Sequence, residues 1–464
     1  MKKSQLFNAL LFLTLVTFFL LPPTDPDLGW QLRCGQEIWQ KGSFCQQNHF
    51  SVLLANYFWP NHHWIYQTII FPVFKFFGFW GLTISNGVLM AFSFLFFFLA
   101  IKNFSLEKLL AVFLVIFLGW GVFSFGLRSQ LLGIFFFNLL LFVNRKAKNN
   151  SRLKLLFPLI MVFWVNSHGS FILGLFLIAF LSPIFLPISF LATFLNPYGL
   201  AIYQEAWRHF SGPVDLSKII AEWVPPTPLF WWLTFLSALG AISFFLFIKK
   251  VPLKEKIKAF LLLALAFLAL KARRHLPFYY LYLFYFLLSF PPTFLKNFSQ
   301  KNKQARLYFA WMLLLFFLFL SLTLRLPLTL AWFKNPCPPS NLNYPCQAVD
   351  FLHQQPEKGN VFNRYEWGGF LIWQLPEYKV FVDGRMPAWK HSSGKSPYTI
   401  YLETLQNQPG WKETLKEYNL NWILISPGTF MDLLLQPNPE KFGWQEVYRD
   451  KISVIYKSTG FFSK

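Results

Sequence analysis

The sequence predicts an α-helical polytopic membrane protein that carries a small water-soluble α/β domain at its C-terminal end. Three observations predict it. Hydrophobic residues make up 55% of the 464 positions and charged residues only 13%, where a soluble domain usually holds about 25% charged residues. The apolar residues up to about position 330 fall in long runs with few charges, the pattern of membrane spans. Beyond that point the chain changes to short mixed segments punctuated by turn residues.

The N-terminus reads Met1-Lys2-Lys3 and then runs apolar over 6–21. A basic start followed by an apolar stretch also describes a signal peptide. Here the small-residue cleavage site is missing, and Leu21-Pro22-Pro23-Thr24-Asp25 follows, so the sequence predicts an uncleaved first helix. Because lipid offers the backbone no hydrogen bonds, each further span is expected to be helical. The expected spans are 5–21, 82–101, 109–125, 129–144, 155–167, 170–186, 188–203, 229–248, 259–272, 275–290 and 307–327. That is about 11 spans, in a range of about 9–13.

Charge asymmetry orders them. The basic loops are Lys2/Lys3, Lys102/Lys108, Arg145 to Lys154, Lys249 to Lys258 and Lys296 to Arg306. With this set of spans they all fall on one side, which is the cytoplasmic side by the positive-inside rule. The weak joint is the uncharged turn near Pro183 and Pro187; removing that hairpin leaves the sidedness unchanged. The expectation is therefore a multi-pass protein of the cytoplasmic membrane with a cytoplasmic N-terminus. Residues 1–330 form its transmembrane domain, with a first outer loop at 22–81 and a second at 204–228. Residues 331–464 form an extracytoplasmic α/β domain. The net charge of +22 is then a property of cytoplasmic loops. It does not mark a nucleic-acid site, because the basic clusters are separated by apolar spans and form no single patch.

The four cysteines fall in two close pairs, Cys34 with Cys45 and Cys337 with Cys346. All are expected outside the cytoplasm, where disulfides persist. The pairs Cys34–Cys45 and Cys337–Cys346 are expected, although four cysteines allow three pairings and four free thiols are the alternative. In the tail, strands are expected at Val361-Phe362, at 378–382, at 421–425 and at 452–456, and helices at 346–355, 368–374 and 411–418.

Candidate chemistry begins where the first helix ends, at Asp25-Pro26-Asp27. Two carboxylates two residues apart in an extended stretch face the same way. Such a pair suits a divalent cation (Mg or Mn), or one member can take a proton from a hydroxyl; plain interfacial solvation is the alternative. Downstream, Leu28, Leu32, Ile38 and Trp39 are expected on one membrane-facing side of a helix. His62 and His63 point apart if helical, a poor metal pair, though either suits a hydrogen bond to sugar or phosphate.

Cations at outer boundaries run against the charge bias. Arg128 is one, and Lys271, Arg273, Arg274 and His275 form a group. A phosphate or pyrophosphate is their natural partner, and snorkelling to lipid headgroups is the alternative. His168 reads as a packed polar group. Glu222 and Trp223, ahead of Pro225-Pro226, form an acidic and aromatic platform suited to sugar, or an exposed carboxylate in solvent.

These motifs resemble those of a set of bacterial membrane proteins. The resemblance lies in Asp25-Pro26-Asp27-Leu28-Gly29-Trp30-Gln31-Leu32-Arg33, Asn196-Pro197-Tyr198-Gly199 and Glu222-Trp223-Val224-Pro225. It continues in Asn363-Arg364-Tyr365-Glu366-Trp367-Gly368-Gly369 and Val380-Phe381-Val382-Asp383-Gly384-Arg385, and so covers nearly the whole chain. Those proteins look like type C glycosyltransferases, the integral-membrane class that takes sugars from polyprenyl-phosphate carriers.

The resemblance implies that an acid in the first outer loop is the base or helps hold a metal, which falls on Asp27 and Asp25. Pro26 separates acids that are adjacent in many members of the class. It implies that Arg273 and Arg274, with His275 and Arg128, hold the carrier phosphate. For Trp367, Asp383 and Arg385 it brings no assigned chemistry; a tight turn with a buried Asp–Arg pair and a role in acceptor recognition both remain open. The function expected is inverting transfer of a hexosyl or pentosyl group from a polyprenyl-phosphate-linked sugar to a glycan, lipid or protein acceptor of the cell envelope. A non-catalytic glycan-binding envelope protein and a lipid or solute transporter are the rivals; the inverted repeats usual in transporters are not visible.

Overall fold

A computed structural model describes residues 3–101, 105–211, 215–218, 220–247, 253–289, 303–334, 337 and 343–460. Lys2, Lys102, Lys249, Lys250, Lys296 and Lys301, on which the expected sidedness draws, lie outside these residues, as do Pro336, Pro338 and Pro339. The chain divides into two compact units. One comprises Met1–Pro23, Phe76–Leu200 and Ser217–Ala331; the other comprises Thr24–Lys75, Ala201–Leu216 and Trp332–Lys464. This differs from the division expected along the sequence: most of the first outer loop belongs with the tail and not with the apolar helices.

The first unit is helical. Two helices among the described residues are long and apolar enough to cross a bilayer, Trp64–Ala100 and Gln304–Trp332, with mean hydropathies of 2.0 and 2.3. The first begins well before the expected residue 82 and is broken at Gly78, whose φ of 58° no helix tolerates. The second contains a π-helical stretch, Ser321–Arg325. The span expected at 229–248 is a 20-residue helix, Pro228–Phe247, while some others are present as shorter pieces. Leu156–Val165 and Phe171–Leu181 have 10 and 11 residues, well under the roughly 20 that cross a bilayer upright. The span expected at 188–203 is not one helix. Leu186–Ala192 ends there, the amide of Asn196 donates to the Thr193 carbonyl and its Oδ1 accepts the Tyr198 N–H, and Ala201–Ser211 starts anew in the other unit. Pro197 and the Asn196 side chain, which satisfies local backbone, make that break. Among the described residues two helices meet the length and hydropathy requirement together, against the eleven spans expected along the whole chain.

The second unit is built on a five-stranded sheet in the order β2-β1-β3-β5-β4. The strands are β1 Asn360–Asn363, β2 Lys379–Val380, β3 Leu420–Ile425, β4 Trp444–Arg449 and β5 Val454–Ser458. β1 pairs in parallel with β2 and β3; β5 runs antiparallel to β3 and β4. Four strands were expected, and β4 is the addition. Its sequence, Trp-Gln-Glu-Val-Tyr-Arg, carries charge on a half-exposed edge, which hides it from a hydrophobic reading.

The expected helices form as Cys346–Gln354, Gly368–Gln374 and Trp411–Glu417, joined by Pro397–Leu405 and Phe430–Leu435. β3 is central and almost wholly buried. The first loop enters this unit directly. The Val380 N–H donates to the Phe50 carbonyl at 3.1 Å, and the Val52 N–H donates to the Val380 carbonyl at 2.9 Å. Residues 50–52 thus occupy the open edge of β2 and satisfy backbone that an edge strand would leave unpaired. Two disulfides, Cys34–Cys45 and Cys337–Cys346, close short loops in the same unit.

Candidate functional site

In the sheet unit, Asp27 occupies the N-cap position of the Leu28–Lys41 helix without capping it through its side chain. Its Oδ1 instead accepts the indole N–H of Trp30 at 2.9 Å. Three glycines let backbone close in around it. A Cβ on Gly29 would run into the Gly369 carbonyl, one on Gly369 into the Pro26 carbonyl, and one on Gly384 into Asp27 Oδ1. The Gly–Gly and Gly–carboxylate contacts therefore require glycine for space alone, and they seat the Asp25-Pro26-Asp27 turn against the Gly368–Gln374 helix.

The turn corrects one expectation. Residues 25–27 are not extended: the Leu28 N–H donates to the Asp25 carbonyl at 3.1 Å, so the alternation that would aim both carboxylates the same way does not apply. Asp25 is 6% exposed and Asp27 half-buried. Leu28 and Leu32 are buried in the protein and do not face outward, while Trp39 is 59% exposed and donates its indole N–H to the Thr68 carbonyl.

His62 and His63 also differ from expectation. They lie in the turn before the Trp64 helix, and their rings sit 4.1 Å apart instead of pointing to opposite sides. The His63 ring is 6.0 Å from that of Trp30. Among the described residues, no group of three or more His, Cys, Asp or Glu side chains is placed to hold a metal ion. Asp25 and Asp27 are two carboxylates with one Oδ1 engaged by Trp30. Such a pair fits Mg2+ or Mn2+ only where water or a substrate phosphate completes the shell.

Behind this turn lies a buried ion pair. Arg385 Nε meets Asp383 Oδ1 at 2.7 Å, and neither side chain has exposed surface. Ser51 Oγ donates to Asp383 Oδ2 at 2.6 Å, and Arg385 Nη2 donates to Asn48 Oδ1 at 2.8 Å. The guanidinium is packed against the rings of Phe50, Trp59 and Trp389. Burial opposes ionisation of Asp383, but the Arg385 charge and its hydrogen bonds, with that of Ser51, hold the carboxyl below the usual range. Trp367 is likewise fully buried. These side chains tie the first loop to the tail and shape the floor beneath Asp27; they offer a ligand no surface.

In the helical unit the fold gathers six residues that the sequence holds in three separate places. Arg128 Nη1 pairs with the Glu222 carboxylate. The Arg274 guanidinium lies 4.7 Å over the Trp223 ring, and the Trp223 and His275 rings are 6.4 Å apart. The Arg273 N–H donates to the Val224 carbonyl at 3.0 Å. Glu222 is 9% exposed, so it is neither the solvated carboxylate nor the open sugar platform that the sequence left as alternatives. Burial would raise its pKa, but Arg128, Arg274 and Arg273 outweigh that and hold it low. Glu222 thus pairs with Arg128 and feels the charges of two further guanidiniums, those of Arg274 and Arg273. Arg273 Nε and His275 Nδ1 are buried and have no hydrogen-bond partner among the described residues, an arrangement that suits an added anion. His168 is the packed polar group expected, its Nδ1 at 2.8 Å from Ser170 Oγ.

In Trp367-Gly368-Gly369 the sequence itself marks a place where backbone can approach closely, and the packing of Gly369 on the Pro26 carbonyl bears that out. Gly29 and Gly384 stand inside quoted motifs, but only the packing shows that each is a point of close contact.

No protein-family model matches the sequence, and no curated protein matches it. Solved structures do. The archaeal oligosaccharyltransferase AglB from Archaeoglobus fulgidus, in complex with an inhibitory peptide and a dolichol-phosphate, is similar with a TM-score of 0.57 at 11% identity. That match covers 91% of this chain and 70% of that one. The Archaeoglobus fulgidus oligosaccharyltransferase tethered to an acceptor peptide containing the NVT sequon gives a TM-score of 0.57 at 12% identity, over 91% and 69%. Its complex with Zn and sulfate gives 0.51 at 12% identity, over 98% and 73%. The likeness is one of fold.

Proposed function

We propose that this chain is a polytopic membrane glycosyltransferase of the bacterial cell envelope. It transfers a hexosyl or pentosyl group from a polyprenyl-phosphate donor to an acceptor outside the cytoplasmic membrane. The N-terminus is cytoplasmic, the C-terminal domain is extracytoplasmic, and about eleven segments cross or enter the bilayer. The observation that carries the reading is the surplus of guanidinium groups around Glu222: Arg128, Arg273 and Arg274 against one carboxylate. A fold shared with an enzyme captured with dolichol-phosphate supports it.

Asp27 is the base. An acceptor hydroxyl attacks the anomeric carbon, the bond from that carbon to the carrier phosphate oxygen breaks, and the electron pair leaves with the polyprenyl phosphate. The acceptor proton passes to Asp27, and a single displacement inverts the configuration. Arg273 and Arg274, with Arg128 and His275, stabilise the phosphate as its charge develops. Asp25 assists Asp27, and His62 and His63 contribute hydrogen bonds to sugar. A divalent cation, if used, would be held by Asp25 and Asp27 and would neutralise phosphate charge.

The test is turnover in detergent or nanodiscs, with decaprenyl-phosphate hexose and pentose donors and octyl glucoside as acceptor. Release of decaprenyl phosphate together with a new glycoside supports the reading. Movement of the lipid-linked sugar across vesicles with no glycosidic bond formed supports a transporter instead.

A further inference from the structure

The last apolar span carries an unanswered charge. Arg325 is half-buried and lies in the helix Gln304–Trp332, whose mean hydropathy is 2.3. It ends the π-helical stretch Ser321–Arg325, where the Leu326 N–H donates to the Ser321 carbonyl five residues back. Pro327 follows and has no N–H to give to the ladder. A π-helical turn interrupts the regular α register, and such turns are frequent at functional sites.

Aromatic rings hold the guanidinium. It lies 4.3 Å over the Trp120 ring and 5.4 Å over that of Phe18, and those two rings meet edge-on at 5.7 Å. Phe18 is the last residue of the first helix. One turn beyond Arg325, the Thr329 hydroxyl donates to the Leu20 carbonyl, so the first and last helices are joined there. A ring stacked on a guanidinium covers its face and leaves its N–H edge for an acceptor in the plane. Among the described residues that edge has neither a carboxylate nor a hydrogen-bond partner. Arg128, by contrast, has Glu222.

A cation in an apolar span is costly unless an anion answers it, and an oxyanion is the geometric match for a guanidinium edge. The surroundings select its class. Leu322 and Leu328, three residues to either side, are 44% and 65% exposed, and Leu324 is 58% exposed. Residues at that spacing share a helix face. A water-soluble phosphate gains nothing from exposed leucines, whereas acyl chains do. Plain snorkelling extends an arginine away from the helices toward the headgroups; here Trp120 and Phe18 hold it against them.

We infer that Arg325, clasped by Trp120 and Phe18, is the phosphate site of a resident anionic phospholipid whose acyl chains lie along Leu322, Leu324 and Leu328. A headgroup without a cation is favoured, because it brings nothing to compete with the guanidinium. The site is separate from the cluster around Glu222. It depends on the membrane reading and not on the transfer reaction. The lipid braces the junction of the first and last helices, just before the chain enters the acid turn.

The experiment titrates the delipidated full chain in detergent with phosphatidylglycerol or phosphatidylcholine and reads bound lipid by native mass spectrometry. One phosphatidylglycerol should bind at least about tenfold more tightly than phosphatidylcholine, and Arg325→Gln should abolish that preference. Tenfold is about 1.4 kcal/mol, near what one hydrogen bond to a charged group supplies. Trp120→Leu keeps the charge and removes the ring, and should weaken phosphatidylglycerol roughly two- to fivefold. Equal binding of the two lipids by the wild type overturns the site without any variant having to fold. The same preference in Arg325→Gln also overturns it and leaves Arg325 a snorkelling residue. Unchanged affinity in Trp120→Leu overturns the clasp. One-for-one displacement of phosphatidylglycerol by decaprenyl phosphate, lost in Arg325→Gln, gives the site to the carrier and overturns the phospholipid. Displacement by inorganic phosphate at equal concentration overturns the lipid class. None of these readouts measures transfer, so the site can fail without the proposed function failing.

Discussion

Asp27 Oδ1 fills the space that a Cβ on Gly384 would occupy, and the same oxygen is held by the Trp30 indole at 2.9 Å. Trp30, in the first turn of the helix that Asp27 opens, and Gly384, in the C-terminal domain, thus define one carboxylate's position.

Gly384→Ala tests that contact. The new methyl must displace the carboxylate or the 383–385 turn, at about 1–3 kcal/mol by the usual cost of overpacking. Turnover should fall at least tenfold, more steeply than stability, as judged by kcat/KM against the thermal midpoint. Unchanged kcat/KM would show that Asp27 need not sit where it does.

Gly29→Ala should be the more damaging change for folding. Its methyl meets the Gly369 backbone, which has no rotamer to yield, so the first loop should detach from the Gly368–Gln374 helix. Limited proteolysis of the first loop should accelerate relative to wild type; an unaltered cleavage pattern would contradict the contact.

Asp383→Asn leaves the guanidinium of Arg385 buried without its counter-charge, a loss of about 3–5 kcal/mol. The pH dependence follows from the same pair. The Asp383 pKa is depressed below the ordinary 3.8, so its stabilisation is fully present above that value and fades as pH falls through the depressed folded-state pKa. Glu222, lowered from 4.5 by its arginines, adds a loss of the same sign. Stability followed by tryptophan fluorescence should therefore be flat from neutral pH to about 5 and drop in acid, and Asp383→Asn should flatten the part of that drop belonging to the sheet unit.

Replacing Cys34 and Cys45 together by serine should cost about 2–4 kcal/mol, because the disulfide anchors the Leu28–Lys41 helix that carries Trp30. Non-reducing electrophoresis and thermal melts with and without reductant read this directly; a melt insensitive to reductant in the wild type would count against both bridges.

The fold was legible where local pattern and tertiary environment agree. Apolar runs gave helices in the first 330 residues, and alternation gave β1, β3 and β5. It was illegible where they part. β4 is an edge strand with charged residues. The span expected at 188–203 is cut by the side chain of Asn196 and by Pro197. Hydropathy alone does not fix helix lengths: Leu156–Val165 and Phe171–Leu181 are shorter than the spans expected there.

From residue order alone come the membrane-class composition, the α/β tail, the cysteine pairs, and the suspicion attached to Asp27 and to the outer arginines. Tertiary structure alone decides that the first loop adds to the edge of β2, that Glu222 pairs with Arg128, and that Gly369 and Gly384 pack on the acid turn. The reason is physical. Composition and periodicity record how each segment meets solvent or lipid, whereas partnership between residues hundreds of positions apart depends on which backbones approach closely enough to touch, and here three glycines set that approach.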